Sequence, residues 1–190
     1  PGSAPSIYFS NFKCFRQEVM GVRIFTGVEA NIMDFNGNLD LDETVLRKMD
    51  YVIASLHIPC IKPGTPKENT DALMKNPYVK IIGHPDDDRY PLEYDRLIPA
   101  ALEHKVALEV NNSSFNPRSG RQNAYKNVMK WLSIAKEYRL PVILGSDAHI
   151  YYDVGDLTEA VKMLEAAGYP QELVLNSSKD GIYYILNEGR

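Results

Sequence analysis

VKIIGHP, at residues 79–85, is a short apolar run that ends in glycine, histidine and proline. Four other runs are equally rich in valine, isoleucine and leucine. They are RIFTGVEANI (23–32), YVIASLH (51–57), VALEVNN (106–112) and PVILGSDAH (141–149). Near-continuous apolar runs are typical of parallel strands that are buried on both faces. The five runs therefore predict a parallel sheet.

Helical periodicity follows several of these runs. Residues 95–105 place an apolar stripe on one face, although Pro99 should kink this helix or lie in its first turn. That stripe consists of Leu97, Ala101 and His104. Residues 121–139 carry the clearest amphipathic pattern. Its apolar face consists of Ala124, Val128, Trp131, Leu132 and Ala135.

A third helix is predicted to open at Asp156. The spacing from Asp156 to Glu159 is typical of a capping box, and the apolar pattern continues through Val161 and Leu164. Strands that alternate with helices predict an α/β fold. A length of 190 residues fits a single domain over residues 1–190.

Composition narrows the classes of function. Lysine and arginine total 21 against 25 acidic residues, a net charge of −4, with no basic run that would follow a phosphate backbone. Nucleic acid is therefore not expected as a partner. Membrane association is not expected either, because no apolar stretch approaches the roughly 20 residues that span a bilayer. Two distant cysteines, Cys14 and Cys60, favour a reducing cytoplasm.

Metal-ligating residue types lie near the carboxyl ends of four predicted strands. They are Glu29, His57, His84, Asp147 and His149. In a parallel α/β barrel those strand ends converge on one face, where active sites are built. Alternation along an extended Asp-x-His segment would send both of its side chains to one side. The pattern predicts a metal site, although each residue alone could be a hydrogen-bonded polar group at a strand end.

The order and spacing of five motifs resemble the PHP family, named for polymerase and histidinol phosphatase domains. The motifs are GVEANI, ASLH, IIGHPDDD, ALEVNNSSF and LGSDAH. The resemblance extends from about Gly21 to about Leu186. Within the family, the chain most resembles the small stand-alone bacterial phosphatases. It implies a distorted seven-stranded (β/α) barrel. It also implies a di- or trinuclear centre of zinc, manganese or iron that hydrolyses small phosphomonoesters.

The resemblance also assigns roles to individual residues. Glu29 matches a carboxylate that bridges two metals, and His57 and His84 match the histidines that complete one metal's ligands. Asp147 matches an aspartate that binds, with Glu29, a different metal from that of the two histidines, and His149 matches a histidine on the third metal. Glu29 and Asp147 are then the expected catalytic residues, with Asp147 a candidate acceptor of the proton of water.

Three further residues are candidates for binding the substrate. Arg118 and Arg121 are the nearest cations that could clamp a phosphate oxygen, although each also fits a solvated loop or a helix start. Asn111 could shape the pocket, or the Asn-Ser run that it begins could end a strand in turn chemistry.

One departure from the family pattern is the absence of its opening strand with His-x-His. The histidines here are His57, His84, His104 and His149, and His104 is expected to pack or to cap a helix. We therefore expect the chain to lack the first β-α-β unit of the barrel, to pair with that missing segment, and to have little activity alone. Two alternatives are an inactive metal-binding remnant and a metal-dependent hydrolase of cyclic esters or amides.

Overall fold

The computed structural model describes residues 6–186. Seven strands are β1 (Glu18–Val19), β2 (Val22–Arg23), β3 (Gly27–Asn31), β4 (Tyr51–Ser55), β5 (Ile81–Ile82), β6 (Ala107–Asn111) and β7 (Val142–Gly145). Six helices are α1 (Ser6–Phe9), α2 (Glu43–Leu46), α3 (Pro66–Met74), α4 (Tyr94–Glu103), α5 (Ala124–Tyr138) and α6 (Thr158–Ala167). Short 3₁₀ turns connect several of them. No helix within these residues is long and apolar enough to cross a membrane.

Strands β3 to β7 form one five-stranded sheet in sequential order, and all four pairings are parallel. Every predicted strand is thus confirmed, although each is shorter than its apolar run. The α/β class is confirmed as well. Strands β1 and β2 form a separate antiparallel hairpin. The seven-stranded barrel and the missing unit stay predictions.

The two faces of the sheet are covered differently, because successive side chains of a strand point to opposite faces. Ala54, Ile82 and Leu108 pack with residues of the long helices in the largest apolar cluster. On the other face, Ile81 and Ala107 pack against Ile185 from the C-terminal 3₁₀ turns. Glu29, in β3, alternates with the buried Val28 and Ala30 and so points to this second face.

Three local predictions about helices are corrected in whole or in part. Pro99 lies inside α4, beyond its first turn, which leaves the kink as the remaining prediction. His104 is exposed and so does not join the apolar stripe, but its predicted capping role is confirmed, since it is the C-cap residue of α4. The capping box at Asp156 is also absent, since α6 begins at Thr158, and Asn112 Oδ1 instead accepts from the backbone N–H of Glu159 at 2.8 Å. A polar side chain from a distant segment has taken the local capping role.

Helices α2 and α3 complete the connections between strands. α3 begins with a capping box, in which Thr65 accepts from the backbone of Glu68 and the Glu68 side chain accepts from the backbone of Thr65. Pro66 occupies the first helical position, where its missing N–H costs nothing. The Thr-Pro-x-Glu stretch is thus a clear start signal for a helix that packs against α4.

The outer edge of β7 is occupied by the segment that follows α6. Val142 pairs in parallel with Val174, and the side-chain amide of Asn176 binds both backbone groups of Leu144. Leu144 N donates to Asn176 Oδ1 at 2.7 Å, and Asn176 Nδ2 donates to Leu144 O at 3.1 Å. The amide of Asn176 therefore substitutes for a peptide group of a neighbouring strand.

Candidate metal centre

Glu29, His57 and His84 come together at the carboxyl end of the sheet. His84 Nε2 lies 3.2 Å from Glu29 Oε1 and 3.1 Å from His57 Nε2. His57 Nε2 lies 3.6 Å from Glu29 Oε1. Within residues 6–186 these three side chains make up the one cluster of metal-ligating groups whose ligand atoms all lie within 4.8 Å of one another.

Consecutive strands position the three side chains. Glu29 projects from β3, whereas His57 follows the end of β4 by two residues and His84 follows the end of β5 by two residues. His84 has a backbone φ of 30°, a positive value that residues other than glycine rarely adopt. Such an outlier at a strand end is typical of a functional site.

The donor set fits a divalent cation. Ligand bonds of about 2.0 to 2.1 Å place neighbouring ligand atoms about 3.3 to 3.4 Å apart in a tetrahedron. The separations here of 3.1, 3.2 and 3.6 Å bracket that value. Two imidazoles and one carboxylate are also a combination found in catalytic zinc sites.

The electrostatics of the centre keep its ligands in the forms that bind metal. Burial opposes ionisation of Glu29, but hydrogen bonds with His84 and Ser55 and the two nearby imidazoles lower its pKa to about 2. Burial, and next the proximity of His84, lower the pKa of His57 below 6.5. An ionised carboxylate and a neutral imidazole are what coordination requires.

This electrostatic arrangement predicts how metal affinity depends on pH. Glu29 stays ionised down to a pH of about 2, and the lowered pKa of His57 keeps its imidazole neutral below 6.5. We expect Zn²⁺ affinity to fall only in the acidic range, where protons displace the metal from the histidines. Calorimetric titrations at roughly pH 7.5, 5.5 and 4.5 check this. Equal affinity at the highest and the lowest of these pH values would contradict ligation by imidazole.

Asp147 and His149 do not join this cluster in the structure. Asp147 follows β7 by two residues with φ 51°, so the segment is not extended there, and the His149 side chain is 87% exposed. Asp147 Oδ2 instead accepts from Arg121 Nη2 at 2.9 Å, and both side chains of this ion pair are largely buried. The expected alternation of Asp147 and His149 onto one side depended on a strand that has already ended at Gly145.

The three predicted substrate-binding residues have different surroundings. Arg121 Nη1 donates to Asn111 Oδ1 at 3.0 Å and to Ser114 Oγ at 3.1 Å. Asn111 is buried, whereas Arg118 is exposed and its backbone N–H binds Asn116. Arg121 therefore binds a candidate ligand, Asp147, directly, and Asn111 and Ser114 hold its guanidinium in place.

Glu109, in β6, lies beneath His84. Its Oε2 accepts from the backbone N–H of His84 at 2.9 Å and from Asn111 Nδ2 at 3.1 Å. A side chain at Gly145 would place its Cβ 2.0 Å from Glu109 Oε1, so this glycine leaves room for the carboxylate. Burial raises the pKa of Glu109. This carboxylate anchors the backbone that presents the His84 ring.

Two other contacts were not predicted from the sequence. Asn31 Oδ1 lies 2.7 Å from His57 Nδ1, and Asn31 in turn is bound by Asp40. The available signal was Asn31 itself, since it follows Glu29 by two residues in β3 and therefore shares its face of the sheet.

Fold and site together define a parallel α/β protein with a candidate metal centre at the carboxyl edge of its sheet. Residues 129–163 match a family described as PHP-associated. The chain is 46% identical to a "probable phosphatase" of Caldanaerobacter subterraneus subsp. tengcongensis, over 100% of this chain and 76% of that protein. It is 39% identical to a "probable phosphatase" of Clostridium botulinum, over 100% of this chain and 79% of that protein. The chain belongs to the PHP family.

A solved structure with a similar fold is a chain in the cryo-EM structure of archaeal ribonuclease P with mature tRNA. The TM-score is 0.61 at 18% identity, and the match covers 96% of this chain and 75% of that one. At this identity the likeness concerns the fold alone.

Proposed function

We propose that this chain carries the metal centre of a phosphatase that hydrolyses small phosphomonoesters. The observation that carries the proposal is the convergence of Glu29, His57 and His84, with ligand atoms 3.1 to 3.6 Å apart. The family and the names of the relatives support a phosphatase. The geometry of the three side chains supports its dependence on metal.

A divalent cation, with zinc expected and manganese or iron as alternatives, would activate water and neutralise charge on the phosphate. Glu29 contributes a negative charge to this site, and the two imidazoles contribute neutral nitrogen donors. Asp147 Oδ2 is bound by Arg121, so Oδ1 is the oxygen available to accept a proton from water.

Arg121 is the residue that we propose for binding the phosphate. Its guanidinium is fixed by Asn111, Ser114 and Asp147, so little conformational freedom would be lost when an anion binds. Arg118 is exposed nearby and could add a second positive charge. The proposed partner of this chain is accordingly a small phosphorylated molecule.

The finer architecture is also part of the proposal. A sequential parallel sheet with its long helices packed on one face is the arrangement of a barrel wall. We propose that the wall belongs to the distorted seven-stranded barrel of the family and that further metals are held by residues of its first unit. Asp147 and His149 are then ligands that complete those positions.

The proposal is tested by measuring hydrolysis and metal content together. The 190-residue chain and a form extended by a His-x-His strand would be assayed with p-nitrophenyl phosphate, a cyclic diester and an anilide, each with Mn²⁺ or Zn²⁺. We expect the extended form to prefer the phosphomonoester and to bind two or three metals, and the shorter chain to bind about one.

Other outcomes would select the alternatives. Faster hydrolysis of the cyclic diester or the anilide would show that the enzyme acts on cyclic esters or amides and not on phosphomonoesters. An extended form that binds metal but hydrolyses none of the three would identify a metal-binding remnant. Equal turnover by a well-folded 190-residue chain would overturn the requirement for the extra segment.

A further inference from the structure

The side chain of Asn31 lies between a carboxylate and the ring of His57. Asn31 Nδ2 donates to Asp40 Oδ2 at 2.6 Å, and Asn31 Oδ1 lies 2.7 Å from His57 Nδ1. The backbones of Asn31 and Asp40 are also joined. Asn31 N donates to Asp40 Oδ1 at 2.9 Å, and Asp40 N donates to Asn31 O at 3.1 Å. Asn31 is therefore fixed in both its backbone and its side chain.

These contacts determine the direction of each hydrogen bond. An ionised carboxylate can only accept, so the amide nitrogen of Asn31 must face Asp40 and its oxygen must face His57. The amide oxygen can only accept as well, so the hydrogen between these groups belongs to His57 Nδ1. A neutral imidazole with hydrogen on Nδ1 has its lone pair on Nε2.

The nitrogen with the lone pair is the one that faces the other ligands. His57 Nε2 lies 3.1 Å from His84 Nε2 and 3.6 Å from Glu29 Oε1. The opposite tautomer would place a hydrogen on Nε2, where a metal ion would have to bind, and would leave Nδ1 facing an acceptor. Asp40 and Asn31 together therefore disfavour the form of His57 that cannot coordinate.

We infer that Asn31 and Asp40 are positioning residues of the metal centre, which select the Nδ1–H tautomer of His57 and orient its ring. The inference rests on the proposed function for the identity of the ligand at Nε2. Loss of such a partner of a ligating histidine typically weakens metal binding by about 10- to 100-fold. Neither residue touches the metal position itself.

The first test measures the tautomer in the metal-free chain. Long-range ¹H–¹⁵N spectra of the histidine rings distinguish Nδ1–H from Nε2–H, and the spectrum of His57→Gln identifies the signals of His57. We expect Nδ1–H in the parent chain and a shift towards Nε2–H in Asn31→Leu, which keeps the size of the side chain but removes the acceptor.

The second test measures Zn²⁺ affinity by calorimetry. Asn31→Leu should weaken binding by about 10- to 100-fold. The double variant Asn31→Asp with Asp40→Asn should restore most of the affinity, because a carboxylate at position 31 still accepts from Nδ1 and an amide at position 40 can donate to it. Recovery by this exchange would show that Asn31→Leu loses affinity because the hydrogen bonds to His57 are lost and not because the chain is less well folded.

Asn69→Leu is the matched control. Asn69 is fully buried and its side chain binds Gly64 and Pro91 away from the centre, so this variant loses a comparable set of hydrogen bonds. We expect it to lower the unfolding midpoint while leaving the His57 tautomer and Zn²⁺ affinity unchanged.

Two results would overturn the inference. An unchanged tautomer in Asn31→Leu would show that Asn31 does not select it, and unchanged affinity would show that the selection has no consequence for binding. A parent chain that binds no Zn²⁺ would overturn the proposed metal centre instead, whereas the spectra of the metal-free chain would still report on the tautomer.

Discussion

Replacement of His84 by alanine should abolish the binding of Zn²⁺ at this centre. His84 Nε2 is within 3.2 Å of both other ligand atoms, and its side chain is 4% exposed. The variant therefore leaves one imidazole and one carboxylate, and no described neighbour completes the set. Elemental analysis of the purified chain should fall from about one bound zinc to nearly none.

His104→Ala is the control for this prediction. His104 is also a histidine at the end of an element, but it is exposed at the end of α4 and lies outside the cluster. It should retain the metal content and unfolding midpoint of the parent chain. If His84→Ala kept the same zinc content as His104→Ala, the metal assignment of His84 would be wrong.

Replacement of Trp131 by alanine should cause a large loss in the free energy of unfolding. Trp131 is fully buried in the principal core, where α5 packs against the sheet. Truncation of a buried tryptophan removes its apolar burial and leaves a cavity, which together cost about 3 to 5 kcal/mol of unfolding free energy. Urea unfolding followed by circular dichroism measures this loss.

Two variants of the same helix calibrate that result. Trp131→Phe keeps most of the ring and removes an Nε1–H that has no partner among the described residues, so its loss should be much smaller. Tyr138→Ala removes an aromatic ring that is 45% exposed and should also have a small effect. Equal losses in all three would contradict a core anchored by Trp131.

Sequence patterns located the elements of the fold better than their ends. Strands β3 to β7 follow from apolar runs because a buried parallel strand must be apolar on both faces. The prediction at Asp156 was wrong because a capping box is a local pattern, whereas the N–H of Glu159 is bound by Asn112 from a segment 47 residues away. Local spacing could not include that tertiary contact.

The candidate site could be predicted only where strand topology determines position. His57 and His84 follow the ends of adjacent strands by two residues, and Glu29 lies within the neighbouring strand β3, so the parallel order of the strands brings the three side chains together. The position of Asp147 could not be predicted in this way, because it follows β7 with a positive φ and its Oδ2 accepts from Arg121. The role of Asp40 depends on a loop that returns to β3, and no periodic pattern encodes such a return.

The outer edge of β7 is occupied by the 174–176 segment. Val174 and Asn176 bind the outward backbone groups of Val142 and Leu144, so a strand that closed the proposed barrel at this edge would have to replace these contacts. In the described part of the chain, β3 is the terminal strand at the opposite side. The outward backbone groups of Asn31 in β3 are already bound to Asp40, so a strand of the proposed first unit could pair with β3 only in the part that precedes Asn31.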